Sequence, residues 1–328
     1  MRSLVVLTAF VVAGCASAPA ETLVRTDVPW PELFPSVIDP DPSGQRPFVA
    51  KAPTPELIER LQVAERTFRA EEEEFATVRD ELASDPLGAF HLTRFLVFWR
   101  IQKEALVRRA RQDEPFLVES VGATPWSRAE DEVVSLGAAA APALVLDIAR
   151  ATDDRDRTVR IDLVGRIGDE AIPTLEIAFQ AQDWQARRDV VRTLRAMSES
   201  GDPDQRPSAR IRPLLERGIV DPHWAVRASA YEGLVRFESS GQRFRDALKL
   251  EQDRFVRRSI VLALASYRHE PQNAAVLVDY LERSVEAEDI DQTKTAQQAL
   301  ERYSGRLDKA GVLAWTAWLK RTEAGRRR

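Results

Sequence analysis

One stretch constrains the fold more than any other: residues 153–175, DDRDRTVRIDLVGRIGDEAIPTL. An acidic opening leads into a run with apolar Val159, Leu163, Val164 and Ile167. Gly168 interrupts it, and Ala171, Pro173 and Leu175 open a second run. Apolar residues at steps of three, four and seven mark a helix face, so the stretch reads as helix, turn, helix. A unit this short cannot bury its own apolar stripe and needs copies of itself on either side.

The chain supplies them. Arg160, Arg187, Arg227 and Arg257 each follow a small apolar residue (Val159, Ala186, Val226, Val256), at intervals of 27, 40 and 30 residues. Leu163, Val190, Ala230 and Ile260 come three positions later, and Ile167, Leu194, Leu234 and Leu264 seven positions later. Acidic residues precede the arginines: Asp154 and Asp156, Asp183, Asp221, then Glu251 and Asp253. The second helices repeat as well, in LGAAAAPAL from Leu136, IGDEAIPTL from Ile167 and the Arg212-Pro213-Leu214 step. The polar insertion SESGDPDQRPS, residues 198–208, accounts for the long interval and reads as a loop.

The runs D-x-D-x-x-V-R at Asp154–Arg160, D-P-H-W-A-V-R at Asp221–Arg227 and E-Q-D-R-F-V-R at Glu251–Arg257 resemble the HEAT-repeat family in its short, PBS-lyase-like form. The Asp183–Arg187 copy departs, with Ala181 where the first acid belongs. The resemblance covers roughly Trp126 to Leu319. It implies an all-α fold, a right-handed α-solenoid of helical hairpins. It also implies a structural ladder in which Asp154, Asp156, Arg160, Asp183, Arg187, Asp221, Arg227, Glu251, Asp253 and Arg257 pair between neighbouring repeats.

At the other end of the chain, MRSLVVLTAFVVAGC reads as an export signal, with Arg2 as its basic start and Leu4–Val12 as an apolar run too short to span a bilayer. Val12-Ala13-Gly14-Cys15 resembles a bacterial lipobox. That implies cleavage of residues 1–14, lipid on Cys15 and a place in the bacterial cell envelope; in a Gram-negative bacterium, with Ala16 following, it implies the periplasmic face of the outer membrane. Cys15 is the sole cysteine, so no disulfide framework exists. Residues 15–54 form the lipidated, proline-rich tether, with nine prolines between 16 and 55. Trp30, Leu33, Phe34 and Ile38 within it are costly to leave in water, so this part is expected to dock onto the protein's own helices.

Residues 55–112 read as a long helical hairpin. Leu57, Leu61, Ala64, Phe68, Phe75, Val78 and Leu82 give one helix of about 40 Å, with Glu71 the acidic exception. Ser84-Asp85-Pro86 starts the return helix. The acidic run Glu71–Glu74 reads as a solvated face. Residues 113–320 form the solenoid, closed by Trp315 and Trp318 on one helix face, and 321–328 a basic tail.

A search for chemistry finds little. His91, His223 and His269 lie far apart without metal-ligand spacing, and no glycine-rich phosphate loop or nucleophile elbow occurs. No catalytic residue, cofactor or metal is expected. A net charge of −5 gives no basic field for nucleic acid. What stands out is a second repeating position: Arg157, Trp184, Trp224 and Arg254 each lie three residues before an aligned arginine. Trp and Arg dominate binding hot spots, so these four are the candidate partner-binding residues. The chain is expected to be a non-enzymatic, membrane-anchored scaffold that binds protein. A lyase-like or chromophore-handling protein and an architectural spacer are the alternatives.

Overall fold

A computed structural model describes residues 30–46, 48–113, 126–151, 153–199, 207–305 and 311–326. The signal segment, Cys15 and the first part of the tether lie outside the described residues, as do the end of the basic tail and most of the 198–208 insertion.

The segment from Trp30 is packed, not extended. A short helix α1 (Trp30–Leu33) leads to β1 (Ile38–Asp39), which pairs antiparallel with β2 (Val49–Ala50). Asp41 closes the intervening turn by accepting from the N–H groups of Ser43 and Arg46 at 2.9 and 3.0 Å. Trp30, Phe34, Ile38 and Phe48 are all buried, with Phe48 under the Arg150 guanidinium and Trp30 set against Leu175, Ala186 and Val190 of the repeats. His91 donates from Nε2 to the Lys51 carbonyl at 2.8 Å, tying the far end of the segment down. The proline-rich stretch is therefore docked over the described residues 30–46 and 48–51.

Helix α2 (Pro55–Arg69) starts as its residues demand: Thr54 Oγ1 accepts from Leu57 N–H at 3.2 Å and Pro55 takes the first turn. It does not run on to Leu82. The chain leaves the helix at Ala70, Glu71 adopts φ 59°, and a separate α3 (Glu74–Ala83) follows. In a continuous helix Glu71 would lie on the apolar seam between Phe68 and Phe75, where a carboxylate is costly to bury. Breaking there keeps Glu71–Glu74 exposed and folds Phe75 back onto Phe68, ring centroids 5.0 Å apart. Arg128 seals the break, donating to the Phe68 carbonyl at 3.2 Å from over its ring. The expected hairpin is thus three helices, the third being α4 (Pro86–Asp113), whose start is capped by Asp85 on Gly88 N–H. Arg94 and Arg100 of α4 face Asp147 and Glu130 of the first repeat, both at under 3 Å. They join the N-terminal helices to the solenoid.

The solenoid is a series of helix pairs: α5 (Ser127–Ser135) with α6 (Ala141–Arg150), α7 (Asp154–Ile167) with α8 (Ile172–Ala178), and α9 (Trp184–Glu199) with α10 (Ile211–Gly218). Next come α11 (Trp224–Leu234) with α12 (Gln242–Leu250), α13 (Arg254–Leu264) with α14 (Pro271–Glu286), and α15 (Ile290–Ser304) with α16 (Val312–Arg326). Gly168 turns α7 into α8 at φ 71°, a left-handed conformation that favours glycine. Helices α7, α9, α11, α13 and α15 pack side by side as one continuous layer. The core is a single strip along the axis, from Trp30 to Trp315. Trp315 is buried in α16, edge-on to Trp318 at 5.4 Å, and Thr316 donates to Glu282 of α14. The two tryptophans close the end of the stack.

Among the described residues no single helix is long and apolar enough to cross a membrane, and no cluster of three or more metal-ligating side chains occurs.

Candidate functional site

The site grows from the way helices of the continuous layer begin. Asp153, Asp183, His223 and Asp253 cap α7, α9, α11 and α13, each accepting from an N–H two residues on. The fourth helical residue is always arginine: Arg157, Arg187, Arg227, Arg257. Each donates to the carbonyl six residues before it, at 2.6, 2.8, 3.0 and 3.2 Å. Arg157 therefore occupies the ladder position in the first of these repeats, and Arg160 does not. The Val159-Arg160 dipeptide imitates the motif one helical turn late. Asp183 and Asp253 are caps, not rungs.

Two rungs join successive repeats. Arg187 grips Asp221 with Nε and Nη2 at 2.7 and 3.1 Å, and Arg227 grips Glu251 in the same way at 3.0 Å twice. The first rung is the better buried, its side chains 11% and 4% exposed against 19% and 13%. Burial pushes the Glu251 carboxyl up, but Arg227 and the Asp253 N–H outweigh it and hold the group below its usual range.

Elsewhere the ladder lapses for want of an acid. Ala181 stands where Asp221 and Glu251 stand later, so Arg157 bonds Asp154 in its own helix and approaches buried Asp189 of α9 at 3.5 Å. Burial pushes the Asp189 carboxyl up, with Arg188, Arg157 and Arg192 pulling against it. Asp156 pairs with Arg160 inside α7, and Arg160 comes no nearer than 3.9 Å to Asp147 of α6. Arg257 lies over the Tyr280 ring at 5.3 Å.

The helix starts also carry an aromatic row. Trp184 stacks on His223 at 3.8 Å and 8°, His223 lies against Trp224 at 5.6 Å, and Trp224 stacks on Phe255 at 4.6 Å and 29°. Arg188 covers the outer face of Trp184 and Arg254 sits over Phe255. Neither tryptophan belongs to the buried core; Trp224 is 38% and Phe255 43% exposed. The expected neighbours Trp184 and Trp224 are thus joined through a third ring, and a fourth extends the row. Arg254 flanks it as expected, paired with Asp291 of α15 at 2.8 Å. Arg157 does not, being a ladder arginine. His223 and Phe255 do not share the repeat position of Trp184 and Trp224: the rings come from the cap, the first and the second helical residues.

His223 couples the row to the ladder. Its Nδ1 accepts from Ala225 N–H, so the proton of the neutral ring is on Nε2, and its backbone N–H donates to Asp221 of the rung at 2.8 Å. Burial pushes its pKa down, Asp221 opposes this, and Arg187, Arg188 and Arg227 add to it.

A second feature is a cleft of about 290 Å³ between α4 and α7, lined by Ile101, Arg108, Arg155 and Asp156 and floored by Glu104. Its charges neutralise one another, Glu104 alone taking Arg100, Arg108 and Arg155.

Residues 172–265, which hold both rungs and the whole aromatic row, match the family model for HEAT repeats. This stretch carries HEAT repeats. With the helix pairs packing on either side of it, the molecule is an all-α, HEAT-like solenoid. No curated protein and no solved structure matches the chain. HEAT repeats generally mediate protein–protein interaction, which directs attention to exposed side chains of the repeats over any cavity.

Proposed function

We propose that this HEAT-repeat protein is a non-catalytic scaffold, held at a bacterial envelope membrane by lipid on Cys15, and that it binds a protein partner along the row Trp184, His223, Trp224 and Phe255. The observation that carries the reading is the exposure of Trp224 and Phe255 as a stacked pair with arginines at both ends of the row. Stacking fixes the rings before any partner arrives, so little side-chain entropy is lost on binding. Trp and Arg on a rigid helical edge are the residue types that dominate interface energetics. Four rings rise from three successive repeats, so a partner lying along the edge contacts several of them together. The lipobox-like Val12–Cys15 supports the anchor, and the docked segment 30–51 keeps the solenoid within reach of it.

Two experiments test the reading. A photoreactive amino acid in place of Phe255 should give a discrete protein adduct in native membranes, and the same probe in place of exposed Leu313 should not. Metabolic labelling with a fatty acid should mark the wild type and leave Cys15→Ser unlabelled. Labelling of the serine variant contradicts the anchor, and the absence of an adduct from Phe255 contradicts the partner.

A further inference from the structure

One turn into each helix, beneath the aromatic row, lies a second line of equivalent positions: Arg188, Ala228, Arg258 and Lys294 in α9, α11, α13 and α15. Arg192 follows Arg188 a turn later on the same stripe. Ala228 is the one small residue of the line, with Arg188 and Arg258 at the same position in the helices packed on either side of α11.

Arg188 is neutralised by Asp189, but the other cations of the line are not. Arg258 and Lys294 are exposed and have no carboxylate partner among the described residues. The one carboxylate near Arg192 is Asp189, 3.9 Å away and already bonded by Arg188 at 2.9 Å. The acids on this stripe are spent: Glu232 takes Arg195 and the Ser259 hydroxyl, and Asp291 takes Arg254. A chain with net charge −5 thus concentrates unpaired positive charge beside its exposed tryptophan.

Ring geometry narrows the occupant further. Trp184 and His223 cover each other's faces, as do Trp224 and Phe255, while Arg188 and Arg254 cap the ends. What the row offers outward is ring edge, which carries the positive end of the aromatic quadrupole. A base or sugar needs a free face to stack on; carboxylates and aliphatic groups suit an edge.

We propose that this face binds an acidic segment of a partner protein, with carboxylates over Arg192, Arg258 and Lys294 and apolar side chains against the edges of Trp224 and Phe255. The proposal rests on the scaffold reading and names the chemistry of its partner.

The test uses the full-length protein in a non-ionic detergent and a fluorescent dodecapeptide of alternating Glu and Leu. Binding should weaken steeply with salt. Arg192→Glu and Arg258→Glu should each weaken it roughly three- to tenfold. The double variant should instead gain affinity for the corresponding Lys and Leu peptide. Both sites are exposed, and unchanged thermal unfolding of the variants confirms their folding. No binding of the Glu and Leu peptide, or binding indifferent to both reversals, overturns the proposal. Equal or tighter binding of a thymidine oligonucleotide or of phosphatidylglycerol vesicles, lost in the same variants, also overturns it, because the face then reads any polyanion. A protein adduct at Phe255 that persists in Arg192→Glu/Arg258→Glu refutes the acidic partner and leaves the scaffold standing; loss of every adduct from the wild type removes both.

Discussion

Arg187→Ala tests how the stack is held together. The guanidinium makes four donations: two to Asp221 of the next repeat and two to the carbonyls of Ala181 and Gln182 at 2.8 and 2.7 Å. Asp221 is 4% exposed at its side chain and keeps one compensating donor, the His223 N–H. Removing one member of a buried ion pair costs about 3–5 kcal/mol, most of it from the charge left behind. With that remaining donor, the loss should be about 2–4 kcal/mol. Urea unfolding followed by helical circular dichroism measures it. Arg187→Ala/Asp221→Asn should recover part of the loss, since the stranded charge is gone, and that coupling identifies the rung. A loss below about 0.5 kcal/mol, the size of an exposed pair, refutes the reasoning. So does a double variant whose loss is the simple sum.

Four further outcomes follow from the same geometry. Arg227→Ala should cost less than Arg187→Ala, about 1–3 kcal/mol, because Glu251 is more exposed and keeps the Gln252 and Asp253 N–H groups; equal losses contradict this. The folded protein holds the Glu251 carboxyl low, so that stabilisation is present above its ordinary value of 4.5 and lost as pH falls below it. The acid limb of a stability profile should therefore flatten in Arg227→Ala. His223 is also held low, and an unfolded chain takes up its proton first, so stability should decline as pH falls below about 6.5. His91, lowered by burial, contributes in the same direction, and His223→Asn should remove only the part belonging to the cap. Trp315→Ala should cost about 3–5 kcal/mol of folding stability, as for a core ring, and unchanged unfolding would contradict its role as the seal.

The sequence reading succeeded where one residue type repeats at one position. Leu163, Val190, Ala230 and Ile260 are all buried, and so is the docked set Trp30, Phe34 and Ile38, because large apolar side chains leave few places to go. It failed where two local patterns compete. Val159-Arg160 imitates Val226-Arg227, but Asp153 caps α7 as Asp183 caps α9, which moves the register back by one turn to Arg157. The 30-residue spacing from Arg157 to Arg187, equal to that from Arg227 to Arg257, carries the signal. The break at Ala70–Glu73 was hidden because Phe68 and Phe75 keep heptad spacing across it. The extent of the aromatic row depends on rings from three different positions meeting in space, and no single periodicity records that.

The central claim is that the row binds and is not core. The measurement is a pair of variants, Trp224→Ala and Trp184→Ala, assayed for unfolding in urea and for the protein adduct formed at Phe255 in native membranes. Truncating a central interface tryptophan typically costs about 2–4 kcal/mol of binding, and truncating a core one costs that much folding stability. Trp224 is more exposed, so Trp224→Ala should abolish the adduct while shifting stability by less than about 1 kcal/mol. If stability instead falls by several kcal/mol, and the adduct declines only as the folded fraction does, the rings are packing elements and the proposed binding edge is contradicted.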